Sequence, residues 1–185
     1  MPSTDGPQVT PDVRARAARI RVLLFDVDGV LTDGGLYLGH DGKEFKRFDI
    51  KDGAGIVQAR QHGLVTGLLS ARRSGATTHR AAQLGMTPVL QGVADKADAL
   101  SQLAAQEGWP FETIAYMGDD VLDVPVLRQV GLAACPVDAI LAVRRCVHWV
   151  SACPGGHGAA RSLVDLILAV QHAGDSSVPL PDRAS

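Results

Sequence analysis

Short, apolar, β-rich runs alternate with amphipathic helical stretches along most of this 185-residue chain. Such runs are typical of strands buried on both faces, and a helix between two strands returns the chain through a right-handed crossover to a parallel neighbour. The alternation therefore predicts an α/β fold, a Rossmann-like, three-layer, doubly wound parallel sheet with helices on both faces. The predicted strands cover residues 21–26, 64–69, 88–91, 113–117, 132–135 and 147–150, and the predicted helices cover 53–62, 74–84, 94–107, 120–130, 138–145 and 158–172.

One interval interrupts the alternation. Residues 36–40 and 44–48 are two strand-like runs on either side of Asp41-Gly42, which is a strong hairpin-turn signal. We therefore expect a β-hairpin over about residues 35–49. It follows the first strand, so it is placed as a short flap that covers a site or contacts another subunit.

Composition limits the classes of protein to consider. A hydrophobic content of 46% suits one globular domain, which we place at residues 18–172 between an N-terminal extension (1–17) and a flexible C-terminal tail (173–185). The net charge is −2 without a long basic block, which argues against nucleic-acid and membrane partners and favours a small soluble one. Three cysteines without C-x-x-C spacing favour the cytoplasm.

Two carboxylates mark the end of the first predicted strand. Asp26 and Asp28 stand two residues apart in the run VLLFDVDGVLTDG, where the Asp-Gly step favours a turn that can aim the first side chain inward. A solvated turn is the alternative interpretation, because Asp and Gly are common turn formers. The pair alone leaves both readings open.

A second acidic cluster follows another buried strand, at Asp119, Asp120 and Asp123 in the run TIAYMGDDVLDVPVL. Two acidic strand ends can converge across a sheet, and together with Asp26 they would offer the hard oxygen ligands that Mg²⁺ prefers. The same segment could instead supply an N-cap for the following helix. The sequence therefore indicates a magnesium site in which some of the aspartates have only a capping role.

Polar residues also follow the strands between these clusters. Ser70 directly follows the second predicted strand and precedes Arg72 and Arg73, an arrangement that can bind phosphate oxygens. Lys96 stands near a helix start, where the helix dipole disfavours a cation unless an anion compensates. The alternative for Lys96 is an exposed solubilising lysine.

Two further patterns carry less weight. Cys146, His148, Cys153 and His157 form a run whose spacing matches no usual zinc finger. The Gly155-Gly156-His157-Gly158 segment lacks the strand-GxxxxGK[ST]-helix context of a nucleotide-binding loop, which favours a helix start instead.

The ordered set of strand-end residues resembles the haloacid dehalogenase superfamily. Within it, the phrases DVDGVLTDG, FDIKDGAGI, DKADAL and GDDVLDVPVL are similar to those of the 3-deoxy-D-manno-octulosonate 8-phosphate phosphatase family, over about residues 18–172. The resemblance implies a magnesium-dependent phosphatase in lipopolysaccharide precursor synthesis, with a small hairpin flap in place of a large cap domain. It also implies a homotetramer in which a neighbouring subunit completes the active site.

The resemblance assigns roles to matching positions. Asp26 is implied as the nucleophile that forms an aspartyl-phosphate, and Asp28 as the general acid and then the general base. Mg²⁺ would be held by Asp26, Asp119 and the main-chain carbonyl of Asp28, and the phosphoryl oxygens by Ser70 and Lys96. Asp120 and Asp123 are implied as support for the metal site.

Recognition of the sugar acid rests on other positions of the family pattern. Arg72 and Arg80 match cationic positions of its substrate pocket. Family members commonly carry Arg where this chain has Lys51 and His157, and Arg and Lys are not equivalent at a bidentate site. A phosphatase for a nine-carbon sugar acid phosphate and a catalytically silent binding module with the same fold therefore stay open as alternatives. The matched substrate loop consists of Asp49, Ile50, Lys51, Asp52 and Gly53.

Overall fold

A six-stranded parallel sheet forms the centre of the protein in a computed structural model that describes residues 9–173. The strand order is β5-β4-β1-β6-β7-β8, and a separate antiparallel hairpin pairs β2 with β3. The first eight residues and the predicted tail from residue 174 lie outside the described range. The strands are β1 (Val22–Phe25), β2 (Tyr37–Leu38), β3 (Glu44–Phe45), β4 (Val65–Ser70), β5 (Val89–Gln91), β6 (Ile114–Met117), β7 (Leu132–Cys135) and β8 (Trp149–Val150).

The side chains of β1 enter two hydrophobic layers in alternation, because successive strand residues point to opposite faces of a sheet. Leu23 and Phe25 pack into one layer and Val22 and Leu24 into the other. Helices α1, α2, α3 and α7 supply the first layer, and α4, α5 and α6 supply the second. The three-layer α/β prediction is confirmed. The helices are α1 (Pro11–Ala17), α2 (Ile50–Gln61), α3 (Gly75–Leu84), α4 (Lys96–Glu107), α5 (Val124–Leu127), α6 (Leu141–Arg144) and α7 (Ala159–Ala173).

Two predicted helices are shorter than their apolar spacing indicated. The predicted helix at 120–130 is a 3-10 turn, Val121–Asp123, followed by α5, because Pro125 fits the first turn of a new helix rather than a helix interior. The predicted helix at 138–145 is reduced to α6, because the Ile140 amide donates to the Asp119 carbonyl and Ile140 stays extended.

The N-terminal helix α1 packs against the domain, although the sequence placed residues 1–17 in an extension. Thr10 caps this helix by accepting a hydrogen bond from the Val13 amide. Val13 and Ala17 are buried in the same layer as α7. No helix within residues 9–173 has both the length and the apolar character needed to cross a membrane.

Helix α2 begins at Ile50, three residues earlier than predicted, because the Asp49 side chain accepts hydrogen bonds from the Lys51 and Asp52 amides. Asp52 is 2% exposed and turns away from solvent. Its carboxylate accepts hydrogen bonds from the Gly158 amide at 3.2 Å and the Arg161 amide at 2.7 Å. Asp52 therefore caps the start of α7 across the interface between two helices.

This interhelical cap gives a test of stability. We expect Asp52→Ala to lower the free energy of unfolding by about 2 kcal/mol, because it leaves two amides at the α7 start without their acceptor. Asp165→Ala is the matched control, since Asp165 forms only a half-exposed pair with Arg161 and its loss should cost less than about 0.5 kcal/mol. Denaturant unfolding of both variants measures the difference. Equal losses would contradict a capping role for Asp52.

Candidate active site

Polar side chains at the ends of three adjacent strands meet at the carboxyl-terminal end of the sheet. Asp26 directly follows β1, Ser70 ends β4, and Asp119 lies two residues beyond β6. These strands are neighbours in the order β4-β1-β6. The chain runs from β1 to β4 and β5 on one side and then crosses to β6 on the other side, and at such a switch point the carboxyl ends of the strands form the crevice in which these sheets bind ligands. The structure therefore brings together the two acidic clusters that the sequence placed about ninety residues apart.

A cavity of about 160 Å³ opens at this end of the sheet. Its volume is below the ~300–1,000 Å³ that is typical of sites enclosing a drug-sized ligand. It therefore has room for a small anionic group, whereas an entire sugar acid would extend beyond it. The sequence-predicted residues that line it are Asp26, Asp28, Ser70, Arg72, Lys96, Asp119, Asp120 and Asp123.

Lys96 is buried in this cavity at the first residue of α4, where Asp95 caps the helix. Its ammonium lies 3.0 Å from Asp26 Oδ1 and 2.7 Å from Asp123 Oδ1. Burial alone lowers the pKa of Lys96, but the charges of Asp26 and Asp123 outweigh it and leave the pKa above its usual value. Lys96 therefore carries its positive charge, and the interpretation of this residue as an exposed solubilising lysine is wrong.

Asp123 is fully buried and engaged on both carboxylate oxygens. Its Oδ1 accepts a hydrogen bond from the Tyr116 hydroxyl at 2.6 Å in addition to the Lys96 contact. Its Oδ2 accepts hydrogen bonds from the amides of Asp119 and Asp120 at 2.9 and 3.1 Å. Asp123 therefore orients Lys96 and fixes the backbone that carries Asp119.

The site holds more negative charge than its own residues balance. Carboxylate oxygens of Asp26, Asp119 and Asp123 lie within 4.8 Å of one another, and Lys96 forms ion pairs with two of these three groups. Burial and then repulsion by Asp123 raise the pKa of Asp26 to about 6, although Lys96 opposes the shift. Burial and then the charge of Asp26 raise the pKa of Asp119 to about 8.

Asp119 also has a buried oxygen, Oδ1, that accepts no hydrogen bond within residues 9–173. An unpartnered buried carboxylate oxygen among crowded carboxylates calls for a cation. The donors are hard oxygen atoms, which suits Mg²⁺ better than a soft metal. Within the described range, no other group of three or more His, Cys, Asp or Glu side chains is spaced to hold a metal. The side chains of the Cys146–His157 run therefore do not come together as a zinc site there.

Asp28 lies at the mouth of the cavity and contacts the hairpin. Its Oδ1 accepts a hydrogen bond from the ammonium of Lys46, whose side chain is only 3% exposed. Arg72 lies near Oδ2, with Nε at 3.7 Å, and Arg72 Nη2 donates to Glu44 Oε2 at 2.5 Å. The predicted flap therefore stands beside the second catalytic candidate.

The remaining predicted residues divide between two places. Ser70 is buried at the cavity, with its hydroxyl 3.4 Å from the Arg72 amide. Asp120 caps the 3-10 turn by accepting from the Val121 amide, which confirms the capping interpretation for one aspartate of the cluster. Arg80 stands apart, because its Nη2 lies 3.4 Å from the Asp49 carbonyl.

The predicted substrate loop is the cap and first turn of α2 rather than a loop. Asp49, Asp52, Gly53 and Arg80 line a separate, small recess, and Ile50 and Lys51 are exposed. Within the described chain, none of these residues lines the cavity that holds Asp26. Their contact with the sugar stays a prediction, because the sugar would extend beyond that cavity.

Sequence reasoning missed three side chains at the site, namely Glu44, Lys46 and Tyr116. The Glu-Phe-Lys alternation of the hairpin was the available signal, because strand periodicity places Glu44 and Lys46 on one face and Phe45 on the other. Nothing in the sequence indicated a polar role for Tyr116, because its position is typical of a core residue in a buried strand. Its hydroxyl is nevertheless bonded to Asp123, and burial, followed by the charge of Asp123, raises its pKa.

Comparison with known proteins was made by family model, by sequence and by structure. No family model matches the chain. The 3-deoxy-D-manno-octulosonate 8-phosphate phosphatase of Yersinia pestis is 42% identical over 166 residues, which cover 90% of this chain and 88% of that protein. The Escherichia coli K12 protein of the same name is 39% identical with the same coverage.

Solved structures agree with the sequence relatives. A Yersinia pestis 3-deoxy-D-manno-octulosonate 8-phosphate phosphatase structure has a TM-score of 0.87 at 37% identity, over 95% of this chain and 99% of that one. The Moraxella catarrhalis phosphatase, solved with magnesium, phosphate and KDO, has a TM-score of 0.85 at 31% identity, over 88% and 94% of the two chains. The chain belongs to the 3-deoxy-D-manno-octulosonate 8-phosphate phosphatase family of the haloacid dehalogenase superfamily.

Proposed function

We propose that this chain is a magnesium-dependent phosphatase that hydrolyses 3-deoxy-D-manno-octulosonate 8-phosphate to the free sugar acid and phosphate, a step toward lipopolysaccharide. The observation that carries the proposal is the buried Lys96 ammonium, 3.0 Å from Asp26 Oδ1 at the end of β1. It keeps a carboxylate and a cation together in the cavity, and the relative from Moraxella catarrhalis was solved in complex with magnesium, phosphate and KDO. A phosphoryl group can meet both a nucleophile and a counter-charge there.

In the proposed first step, a carboxylate oxygen of Asp26 forms a bond to phosphorus as the bond between phosphorus and the C8 oxygen of the sugar breaks. Asp28 gives its proton to the departing oxygen. Ser70 and Lys96 bind the phosphoryl oxygens, where the transition state places negative charge. The product of this step is an aspartyl-phosphate and the free sugar acid.

In the second step, Asp28 takes a proton from water, and the water oxygen forms a bond to phosphorus as the Asp26–phosphorus bond breaks. Inorganic phosphate leaves and Asp26 is restored. Asp26, Asp119 and the Asp28 carbonyl are the proposed Mg²⁺ ligands, and Asp123 supports them from its hydrogen bonds to the Asp119 and Asp120 amides. When bound, Mg²⁺ supplies the positive charge that offsets repulsion between the Asp26 carboxylate and the phosphate.

Assembly into a homotetramer is part of the proposal. The hairpin exposes Leu36, Tyr37, Leu38 and Phe45, which are 46–61% accessible in the single chain, and such a patch is typical of an interaction surface. The small cavity and the separate recess around Arg80 suit a site whose sugar-binding wall includes a neighbouring subunit.

We propose the cytoplasm as the location of the protein, because the free thiols of Cys135, Cys146 and Cys153 suit a reducing compartment.

Phosphate release tests the activity. With Mg²⁺, we expect the wild-type protein to release phosphate from the eight-carbon substrate with a higher kcat/KM than from a nine-carbon sugar acid phosphate. We expect Asp26→Asn to lower kcat by at least about a thousandfold, because an amide is a poor nucleophile. Asp165→Asn, on the surface of α7, is the control and should leave the rate unchanged. A preference for the nine-carbon substrate, or no release from either, would overturn the substrate assignment.

Thermal unfolding tests the metal site independently of activity. We expect Mg²⁺ at about one hundred times its Kd to raise the Tm of the metal-free wild-type protein by about 5–10 °C. Asp119→Asn should abolish most of this shift. Without Mg²⁺ the variant should unfold at the same or a higher temperature than the wild type at neutral pH. The pKa of Asp119 is raised to about 8 in the folded protein, so folding must either protonate this carboxyl group or bury its charge beside Asp26 and Asp123, and Asn removes that cost. A full Mg²⁺ shift in the variant would exclude Asp119 as a ligand.

Light scattering after size-exclusion chromatography tests the assembly. We expect a wild-type mass four times the 19.4 kDa of the chain. The double variant Leu38→Glu, Phe45→Glu should give a smaller species and a lower kcat/KM for the sugar phosphate, because it places charges in the proposed interface. Lys43→Glu, at the exposed hairpin turn, is the control and should remain tetrameric. A wild-type monomer with full activity would contradict the proposed assembly.

A further inference from the structure

Lys46 is a buried cation on an otherwise exposed hairpin. Its side chain is 3% accessible, whereas the neighbouring Phe45 is 59% exposed on the opposite face. The Lys46 ammonium contacts Asp28 Oδ1 and lies 3.4 Å from Glu44 Oε1. Because burying an ammonium is costly unless a partner compensates, its burial against Asp28 indicates a specific ion pair rather than a solubilising lysine.

The second oxygen of Asp28 is left without a donor. Oδ2 is buried and accepts no hydrogen bond from the described part of the chain. Arg72 Nε lies 3.7 Å from it, beyond hydrogen-bond distance, and Arg72 is held by Glu44 of the hairpin at 2.5 Å. Asp28 and Arg72 both line the cavity with Asp26 and Ser70. The two Asp28 oxygens therefore have different surroundings, because Oδ1 contacts the Lys46 ammonium of the hairpin and Oδ2 is buried beside Arg72.

We propose that Lys46 is a positioning residue for Asp28, whose buried ammonium holds the Asp28 carboxyl group in place for its proton exchange with the leaving group and with water. The inference rests on the proposed function, because it concerns the general acid and base of that reaction. Glu44 supports the arrangement by placing Arg72 beside the same carboxyl group.

The chemistry makes this position important. In the first step a proton moves from the Asp28 carboxyl group to the sugar oxygen as the bond from that oxygen to phosphorus breaks, and in the second step Asp28 takes a proton from the attacking water. Both transfers require the Asp28 carboxyl group to stand within reach of the reacting oxygens. The contact of Lys46 with Oδ1 restricts the rotation of this carboxyl group, so its loss should misplace the proton donor. Lys46 directly follows β3, so this orientation depends on the strand that carries the exposed Phe45.

A leaving-group comparison tests the proposal. Lys46→Met keeps the apolar stem and removes the ammonium, and Lys46→Arg retains a cation. Lys43→Met removes an exposed ammonium, 76% accessible, from the same hairpin and serves as the control. Single-turnover phosphorylation of each protein is measured with p-nitrophenyl phosphate, whose leaving group needs little protonation, and with a primary alkyl phosphate that the wild type hydrolyses. The sugar acid phosphate is the first alkyl substrate used.

We expect Lys46→Met to slow phosphorylation by the alkyl phosphate about 10- to 100-fold, and p-nitrophenol release in the first turnover by less than about threefold. Lys46→Arg should recover part of the alkyl rate, and Lys43→Met should match the wild type. Equal losses of the phosphorylation rate with both substrates would indicate a merely structural role for Lys46 and would overturn the proposal. An unchanged rate with the alkyl phosphate would also overturn it. Tm and oligomeric mass, measured in parallel, identify a variant that has lost its fold or assembly.

The two proposals fail separately. If the wild type turns over another alkyl phosphate but not the sugar acid phosphate, the substrate assignment is wrong, and the ratio between the two leaving groups still tests Lys46. If the wild type hydrolyses the sugar acid phosphate but Lys46→Met keeps the wild-type ratio, the proposed function stands and the role of Lys46 is wrong.

Discussion

The buried ion pairs of Lys96 are the constraint on which the rest of the site depends. A single ammonium lies within 3.0 Å of carboxylate oxygens from Asp26 and Asp123, which follow two neighbouring strands. Without that charge, two desolvated carboxylates would face each other at the ends of the central strands. Burying unpaired charges costs free energy of folding, and the ion pairs with Lys96 offset that cost. The sheet positions the acids, and α4 supplies the cation that lets them stay ionised. The proposed nucleophile, metal site and phosphate-binding cation thus depend on one arrangement.

The two catalytic candidates are supported in different ways. Asp26 stands on the central strand, surrounded by rigid core elements and by Asp123, whose oxygens are bonded to Tyr116, Lys96 and two main-chain amides. Asp28, two residues later, contacts a hairpin that, within residues 9–173, pairs only with itself and exposes apolar side chains. The position of the proposed nucleophile is therefore set inside the domain, whereas the proposed acid-base group contacts the element that we propose as a subunit interface. Under these proposals, Lys46 links subunit assembly to chemistry.

Much of this organisation could be predicted from the sequence, because it follows from local patterns. Buried strands are recognisable in the sequence as apolar runs. In a parallel sheet the carboxyl ends of neighbouring strands lie side by side, so polar residues that follow these runs are expected to meet. This reasoning placed Asp26, Ser70 and Asp119 correctly at one cavity. The lengths of α5 and α6 were overestimated, since apolar spacing does not show that Pro125 restarts the helix or that Ile140 bonds to Asp119. Such limits are set by contacts distant in the chain.

Long-range contacts also decide the residues that sequence reasoning missed or left ambiguous. A lysine at a helix start is usually exposed, and only the position of α4 against β1 and β6 buries Lys96. Asp52 matched a substrate loop, yet α7 lies close enough for it to cap that helix instead of lining the cavity. The contact of Lys46 with Asp28 depends on how the hairpin folds back over the sheet edge, which its own periodicity does not specify.

The central claim is that Asp26 becomes covalently phosphorylated, and trapping the intermediate tests it most directly. Enzyme quenched during turnover and treated with borohydride should yield a peptide in which residue 26 is reduced to homoserine, because an acyl phosphate is reducible whereas a free carboxylate is not. We expect that product only when Mg²⁺ and substrate are both present. An unmodified Asp26 in enzyme that is turning over, with reduction at a different carboxylate, would contradict the assignment.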